Sequence, residues 1–160
     1  MKLFKILPLL LLLFVSISYS QKQTNTLDVN KEAVIAVMKT YKDAIQNLTT
    51  KGTIKLFTDN SEVFESGGIE GSYLHYVEHH LGPELEHFKS FSFSDYKIDV
   101  QLDGAYAFTT ETYIYIIEVK PNDKGESKII KKKGVATSIL KNINGEWKIS
   151  KTHSSSRNTK

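Results

Sequence analysis

Apolar residues recur at steps of three and four over residues 33–48, a spacing that places them on one face of a helix. Asp28 or Asn30 is the expected N-cap, because a short side-chain oxygen there accepts an otherwise unpaired backbone N–H. Gly52 is expected to end the helix. The pattern therefore predicts one long amphipathic helix at the start of the domain. Its apolar face comprises Ala33, Val34, Val37, Tyr41, Ala44, Ile45 and Leu48.

The region after this helix is predicted to contain short helices and a short strand. Residues 54–57 predict a further helical turn, and residues 61–66 predict a short strand that ends at Gly67-Gly68. Helical spacing returns over residues 70–81. Gly82-Pro83 must interrupt that helix, because proline disfavours helical geometry at the residue before it. Pro83 can begin a further short helix, so we expect a broken second helix.

From residue 91 onward the apolar positions alternate with a period of two, which favours β-strands. Asn144-Gly145, between the last two predicted strands, is a strong hairpin signal. Helices followed by a run of antiparallel strands define an α+β class. The four predicted strands cover residues 91–100, 105–120, 127–141 and 146–155.

The first twenty residues predict a cleavable signal peptide. Lys2 and Lys5 precede an apolar run over residues 6–15, and Ser18-Tyr19-Ser20 supplies small residues at the cleavage site. We expect cleavage after Ser20 and a secreted or periplasmic protein. The chain has no cysteine, which excludes a lipid-anchored cysteine, a disulfide scaffold and thiolate chemistry. Residues 21–27 are expected to form a flexible lead-in and residues 158–160 a short tail.

Charge argues against two further classes of partner. The formal charge of the 160-residue chain is +3, and cleavage after Ser20 would remove two of its 21 basic side chains and none of its 18 acidic ones. Lys131, Lys132 and Lys133 alternate between the two faces of a strand, so they cannot form one basic surface. We expect no nucleic-acid partner and no membrane association after signal cleavage.

Three segments carry a resemblance to a known superfamily. They are residues 63–70 (VFESGGIE), residues 76–81 with the triplet His79-His80-Leu81, and residues 153–157 (HSSSR). With the order of elements, they make residues 28–157 resemble the nuclear-transport-factor-two-like superfamily, which includes SnoaL-type cyclases and ketosteroid isomerase, and within it a group of exported bacterial members. The resemblance implies a cone in which a curved antiparallel sheet packs on the long helix around a pocket. That group usually has tryptophan where this chain has Ser154.

The histidines and one glutamate suggest a metal site. His79 follows His75 by four residues, the spacing at which two imidazoles on one helical face can bind one ion. His153 alternates in phase with the apolar Trp147 and Ile149, so we expect it to point inward. Inward imidazoles and carboxylates are costly to bury unless they pair or hold a cation. A divalent metal, Zn or Cu, is therefore a candidate cofactor, with candidate ligands Glu65, His79, His80 and His153.

An organic ligand is an equally open interpretation. Glu111, Tyr113 and Tyr115 alternate onto one face of the longest strand, as the resemblance to ketosteroid isomerase would require of an acid–base pocket. We take Glu65, His153 and Glu111 as candidate catalytic residues. A buried Glu–His hydrogen bond, or histidines that face solvent, would explain the same residues without any site. The candidate ligand-binding residues are Tyr73, Tyr113, Tyr115 and Arg157.

Three functions follow from these patterns. The first is a non-catalytic pocket protein that binds a small ligand or a divalent metal. The second is a SnoaL-like enzyme that performs acid–base chemistry on a hydrophobic cyclic substrate. The third is a structural dimerisation module. A homodimer is expected because residues 105–119 are apolar on both faces, one of which carries Tyr106, Phe108, Ile114 and Ile116.

Overall fold

A computed structural model describes the backbone of residues 7–159 and the side chains of residues 26–159. The predicted signal peptide lies outside the residues whose side chains are described, and its first six residues lie outside the described chain. The elements, in chain order, are α1 (Leu7–Gln46), a 3₁₀ turn (Thr53–Leu56), β1 (Phe57–Glu65), β2 (Gly68–Gly71), α2 (Tyr73–Tyr76), a π turn (Val77–Leu81), α3 (Gly82–His87), β3 (Phe88–Asp103), β4 (Tyr106–Val119), β5 (Lys128–Ile143) and β6 (Glu146–Asn158).

The strands form one curved six-stranded sheet in the order β2-β1-β6-β5-β4-β3. Neighbouring strands pair antiparallel, except that β1 runs parallel to β6. The hairpin between β5 and β6 turns at Asn144 and Gly145, both with positive φ, as predicted. The α+β prediction and the four long strands are confirmed.

Helix α1 packs across the inner face of this sheet and closes the core. Val34 and Met38 of the helix are buried with Leu140 of β5 and with Trp147 and Ile149 of β6. Burial of these apolar side chains is the main favourable contribution to folding, at about 25 cal/mol for each Å² removed from water. The predicted amphipathic face therefore does hold the helix to the sheet.

Both predicted ends of the first helix are wrong. The backbone is helical through residues 21–27, because no glycine or proline interrupts this stretch. Asn30 is thus not an N-cap, and its side-chain oxygen lies 3.4 Å from the Trp147 indole N–H. At the other end, the helix ends at Leu48, which takes the left-handed conformation with φ of 51°, whereas the left-handed Gly52 precedes the 3₁₀ turn. The amides of Leu48 and Thr49 donate to carbonyls of the last turn, a Schellman ending.

The second helix begins later than predicted and is interrupted by a π turn. Residues 68–71 form strand β2, and Ser72 then caps α2 by accepting the His75 amide. The Gly82 amide donates to the carbonyl of Val77, five residues earlier, which is the bond that defines a π turn. A Cβ on Gly82 would lie 2.5 Å from that same carbonyl oxygen. Glycine therefore lets the helix widen before Pro83.

A bulge in β6 reverses the predicted orientation of its second half. Ile149 pairs with Leu140, but Ile139, the residue before Leu140 in β5, pairs with Lys151. Ser150 is therefore the extra residue of the bulge. Because side chains alternate along a strand, one extra residue moves every later side chain to the opposite face. His153 is therefore exposed on the outer face of the sheet, and the prediction that it points inward is wrong.

Candidate functional site

A cavity of about 430 Å³ lies between α1, the second helix and the inner face of the sheet. The strand residues that line it come from β1, β3, β4, β5 and β6. Its polar lining includes a cluster around Glu111, a cluster around His80, and side chains of β5 and β6 at positions 132, 152 and 154–156. A wall of aromatic rings also lines it.

The aromatic wall is built by β3 and β4. The rings of Phe91 and Tyr115 are stacked with their centroids 5.7 Å apart, and the rings of Phe93 and Tyr113 meet edge to face at 5.1 Å. Gly134 of β5 makes room for Tyr113, because a Cβ there would lie 2.2 Å from the Tyr113 ring. The wall offers flat apolar surfaces to a ligand, with two phenolic hydroxyls at its edges.

The first polar cluster is a buried ion pair between α1 and β4. Lys42 Nζ lies 3.2 Å from Glu111 Oε1, and the Glu111 side chain is 1% exposed. The Tyr96 hydroxyl donates to the same oxygen at 2.6 Å. Lys42 Nζ also lies 4.4 Å from the ring centroid of Tyr113 and 4.7 Å from that of Phe93. The ammonium is thus held by one carboxylate and by aromatic faces.

Burial shifts the pKa values of Lys42, Tyr96 and Tyr113 in this cluster. It lowers the pKa of Lys42, and the Glu111 carboxylate opposes that effect without cancelling it. Burial also raises the pKa of Tyr96 and of Tyr113, and the nearby Glu111 charge adds to both shifts. Both phenols therefore stay protonated at neutral pH and can act as hydrogen-bond donors.

The second polar cluster surrounds His80 at the end of the cavity formed by β1 and the helices. His80 Nδ1 lies 3.0 Å from Glu70 Oε2, while His80 Nε2 lies 3.4 Å from Glu84 Oε1 and 3.9 Å from Glu65 Oε2. The Tyr76 hydroxyl donates to Glu65 Oε2 at 2.7 Å. One imidazole is therefore shared among three carboxylates at the cavity wall.

These contacts set the protonation of the His80 cluster. The hydrogen bond with Glu70 is the main cause that raises the pKa of His80, with smaller contributions from the charges of Glu84 and Glu65. Burial raises the pKa of Glu84, and the His80 charge partly opposes this. Burial, aided by neighbouring negative groups that include Glu65, also raises the pKa of Tyr76.

Stability is expected to depend on pH through His80. Because folding raises its pKa, its contribution to stability is fully present below the unfolded value of about 6.5 and is lost as the pH rises through the folded value. His80→Gln should therefore lower the melting temperature more at pH 6 than at pH 9. His87→Gln is the matched control, since His87 is exposed and has no ion pair in the described part of the chain. An equal loss at both pH values would contradict this prediction.

The structure does not assemble the predicted metal ligands. Glu65 and His80 line the cavity, but His79 is exposed and packs against the ring of His75, and His153 lies on the outer face of the sheet. Within residues 26–159, no three histidine, aspartate or glutamate side chains are placed to hold one metal ion. The set of four was wrong because helix and strand spacing alone did not reveal which way each imidazole points.

The predicted ligand-binding residues divide into two groups. Tyr113 and Tyr115 line the cavity, as does the candidate catalytic residue Glu111. Tyr73 instead lies in the core, stacked on Phe57 with ring centroids 3.5 Å apart and its hydroxyl donating to Thr53. Burial raises the pKa of Tyr73 to about 12. Arg157 lies on the outer face of the sheet and does not reach the cavity.

Sequence reasoning missed Lys42, although its signal was present. Lys42 follows Met38 by four residues and precedes Ile45 by three, so it occupies the apolar face of α1. A lysine on such a face needs a buried partner. Glu111, the inward carboxylate of the strand predicted over residues 105–120, is that partner.

This architecture, a long helix closed over a curved sheet with a polar and aromatic cavity between them, is that of the SnoaL-like class. The SnoaL-like domain family matches residues 34–158, and the chain belongs to this family. Among the described side chains, no helix combines the length and apolar character needed to cross a membrane.

Solved structures share the fold at low sequence identity. A candidate dehydratase of the NTF2-like family from Streptomyces avermitilis superposes with a TM-score of 0.68 at 16% identity, covering 80% of this chain and 96% of its own. A candidate ketosteroid isomerase from Shewanella frigidimarina gives a TM-score of 0.63 at 23% identity, covering 76% and 94%. A candidate scytalone dehydratase from Novosphingobium aromaticivorans gives 0.66 at 18% identity, covering 86% and 89%. A search of curated proteins found no match.

Proposed function

We propose that this protein is an exported SnoaL-like protein that binds a small, mainly apolar cyclic ligand in the cavity. The observation that carries the proposal is the aromatic wall of β3 and β4, which faces a cavity of about 430 Å³. That volume is in the usual range for small-molecule sites, roughly 300–1,000 Å³. Export rests on the signal-peptide pattern of residues 1–20.

The polar groups of the lining favour a ligand that also carries polar groups. The protonated Tyr113 lies beside Lys42, and His80 lines the cavity together with Glu65 and Glu84. Flat rings of the ligand would stack on the aromatic wall, where each aromatic contact contributes about 0.5–1.5 kcal/mol beyond its burial. The cavity supports ligand binding over a purely structural role.

Filling the cavity should weaken ligand binding. Ala136 of β5 is buried and lines the cavity, whereas the next residue, Thr137, is exposed on the outer face. Calorimetric titration with 2-naphthol, a flat bicyclic phenol, is expected to give binding that Ala136→Leu weakens at least about tenfold and that Thr137→Leu leaves unchanged. Thermal melts of both variants check the fold. Failure of 2-naphthol and related bicyclic phenols to bind, or equal effects of the two substitutions, would contradict the proposal.

Acid–base catalysis is the second candidate function, and the contacts of His80 favour it. Glu70 fixes Nδ1, which leaves Nε2 of the same ring directed toward the carboxylates that line the cavity. In its neutral form, which requires a pH above its raised pKa, such a ring could take a proton from a ligand carbon beside a carbonyl. Exchange of the α-protons of 2-tetralone in deuterated water, followed by NMR, tests this function. Exchange by the parent protein and its loss in His80→Gln would support catalysis. Absence of exchange by the parent protein would contradict catalysis and leave ligand binding as the proposed function.

We also propose that the outer face of the sheet forms a homodimer. Tyr106, Phe108 and Val135 are between 43% and 47% exposed on this face. Aspartates lie toward its β3 side at positions 95, 99 and 103, with Lys97 among them, and basic residues toward its β5–β6 side at positions 131, 133 and 157. A two-fold axis parallel to the strands would bring the aspartates of one protomer over the basic residues of its partner. Light scattering should give a dimer mass, which Phe108→Glu should reduce to that of a monomer.

A further inference from the structure

Two imidazoles lie side by side on the exposed surface of the second helix, outside the cavity lining. The ring centroids of His75 and His79 are 4.4 Å apart, with the ring planes inclined by 43°. Both side chains are exposed. Among the described residues, neither ring lies within ion-pair distance of a carboxylate, in contrast to His80. The pair has no role in the ligand-binding function proposed above.

The ring of His75 is oriented by the backbone. Its Nδ1 lies 3.0 Å from the carbonyl oxygen of Glu70. A carbonyl can only accept, so in the neutral ring Nδ1 carries the proton and Nε2 keeps a free lone pair. The His75 amide also donates to Ser72 Oγ, which fixes the first turn of α2 beneath the ring. Histidines that bind metals commonly use this arrangement, in which one ring nitrogen donates to a carbonyl and the other faces the ion.

We propose that His75 and His79 bind one divalent ion of the class that prefers imidazole, Zn²⁺ or Cu²⁺. Nitrogen ligands lie about 2.0–2.1 Å from zinc, a distance that two rings so close together can satisfy around one ion. No third protein ligand converges with them in the described part of the chain, so water completes the coordination. Affinity among common divalent ions should be greatest for Cu²⁺.

The experiment uses the protein without a polyhistidine tag, so that no added imidazoles compete. Calorimetry with Zn²⁺ is expected to show one ion per chain, and Cu²⁺ electron paramagnetic resonance to show coupling to two nitrogens. His75→Ala and His79→Ala should each weaken Zn²⁺ binding at least about tenfold, since even the loss of a group that only orients a ligand costs 10- to 100-fold. His87→Ala and His153→Ala are matched controls, because both remove exposed imidazoles from elsewhere in the fold.

Three results would overturn this site. They are no Zn²⁺ binding by the parent protein, binding unchanged in both His75→Ala and His79→Ala, and an equal loss in the His87→Ala or His153→Ala controls. Loss of binding in His80→Ala with His75→Ala unaffected would place the ion in the cavity and contradict the proposal as well. Thermal melts of each variant establish that it is folded. Binding of 2-naphthol in the same samples is expected to be unchanged, which separates this site from the cavity.

Discussion

Replacing Glu111 with alanine is expected to lower the free energy of unfolding by about 3–5 kcal/mol, the usual cost of breaking a buried ion pair from one side. The change leaves the Lys42 ammonium buried without its carboxylate and the Tyr96 hydroxyl without its acceptor. Burial already lowers the pKa of Lys42, and Glu111 is the group that opposes this. Urea unfolding of the variant measures the effect.

A surface pair provides the matched control. Glu62 and Lys151 also join two elements of the sheet, with Oε2 and Nζ 2.7 Å apart, but both side chains are about half exposed. Glu62→Ala should therefore lower the free energy of unfolding by no more than about 1 kcal/mol. The double variant Lys42→Met/Glu111→Leu should recover most of the loss, because it removes both buried charges together. A cost for Glu111→Ala no greater than that for Glu62→Ala would be evidence against a buried pair.

Replacing Tyr73 with alanine is expected to lower the free energy of unfolding by about 3–5 kcal/mol, as for other large aromatic side chains in cores. Tyr73 is 1% exposed, is stacked on Phe57 and meets Tyr41 edge to face at 5.8 Å. Tyr73→Phe should cost only about 1 kcal/mol, because it removes the hydrogen bond to Thr53 and keeps the ring. Urea unfolding distinguishes the two variants.

Ligand binding separates Tyr73 from the tyrosines of the cavity. Tyr73→Phe should leave the affinity for 2-naphthol unchanged, whereas Tyr113→Ala should weaken it, since only Tyr113 lines the cavity. Weaker binding of 2-naphthol in Tyr73→Phe, with the free energy of unfolding unchanged, would indicate that Tyr73 contacts the ligand, as the sequence suggested.

Periodicity predicted the regular parts of the fold for a physical reason. The apolar face of α1 and the alternation along β3 to β6 are repeated over many residues, so single exceptions do not hide them. The Asn144-Gly145 turn was also predictable, because it needs positive φ at both positions. The cavity tyrosines of β4 followed from the same alternation.

Local insertions limited the prediction of the site. The bulge at Ser150 and the π turn at Val77–Leu81 each alter the regular spacing. Serine in a strand carries no signal for a bulge, and Gly82-Pro83 signals that the helix is interrupted but not that the interruption is a π turn. The orientation of His153 and the surroundings of His80 therefore could not be derived from spacing alone. The burial of Lys42 could have been predicted, since a lysine on an apolar face indicates a buried partner.

The parallel pairing of β1 with β6 has a consequence for the order of folding. Phe57 lies opposite Ile149, so the first strand of the sheet finds its neighbour only when the last strand is available. A pairing so distant along the chain closes a long loop and forms slowly compared with hairpins. The β3–β4–β5 meander can form before β6 is available, whereas β1 can pair within the sheet only once β6 is present. A chain in which β6 has not yet formed therefore exposes the cavity wall and lacks the β1 side of its site.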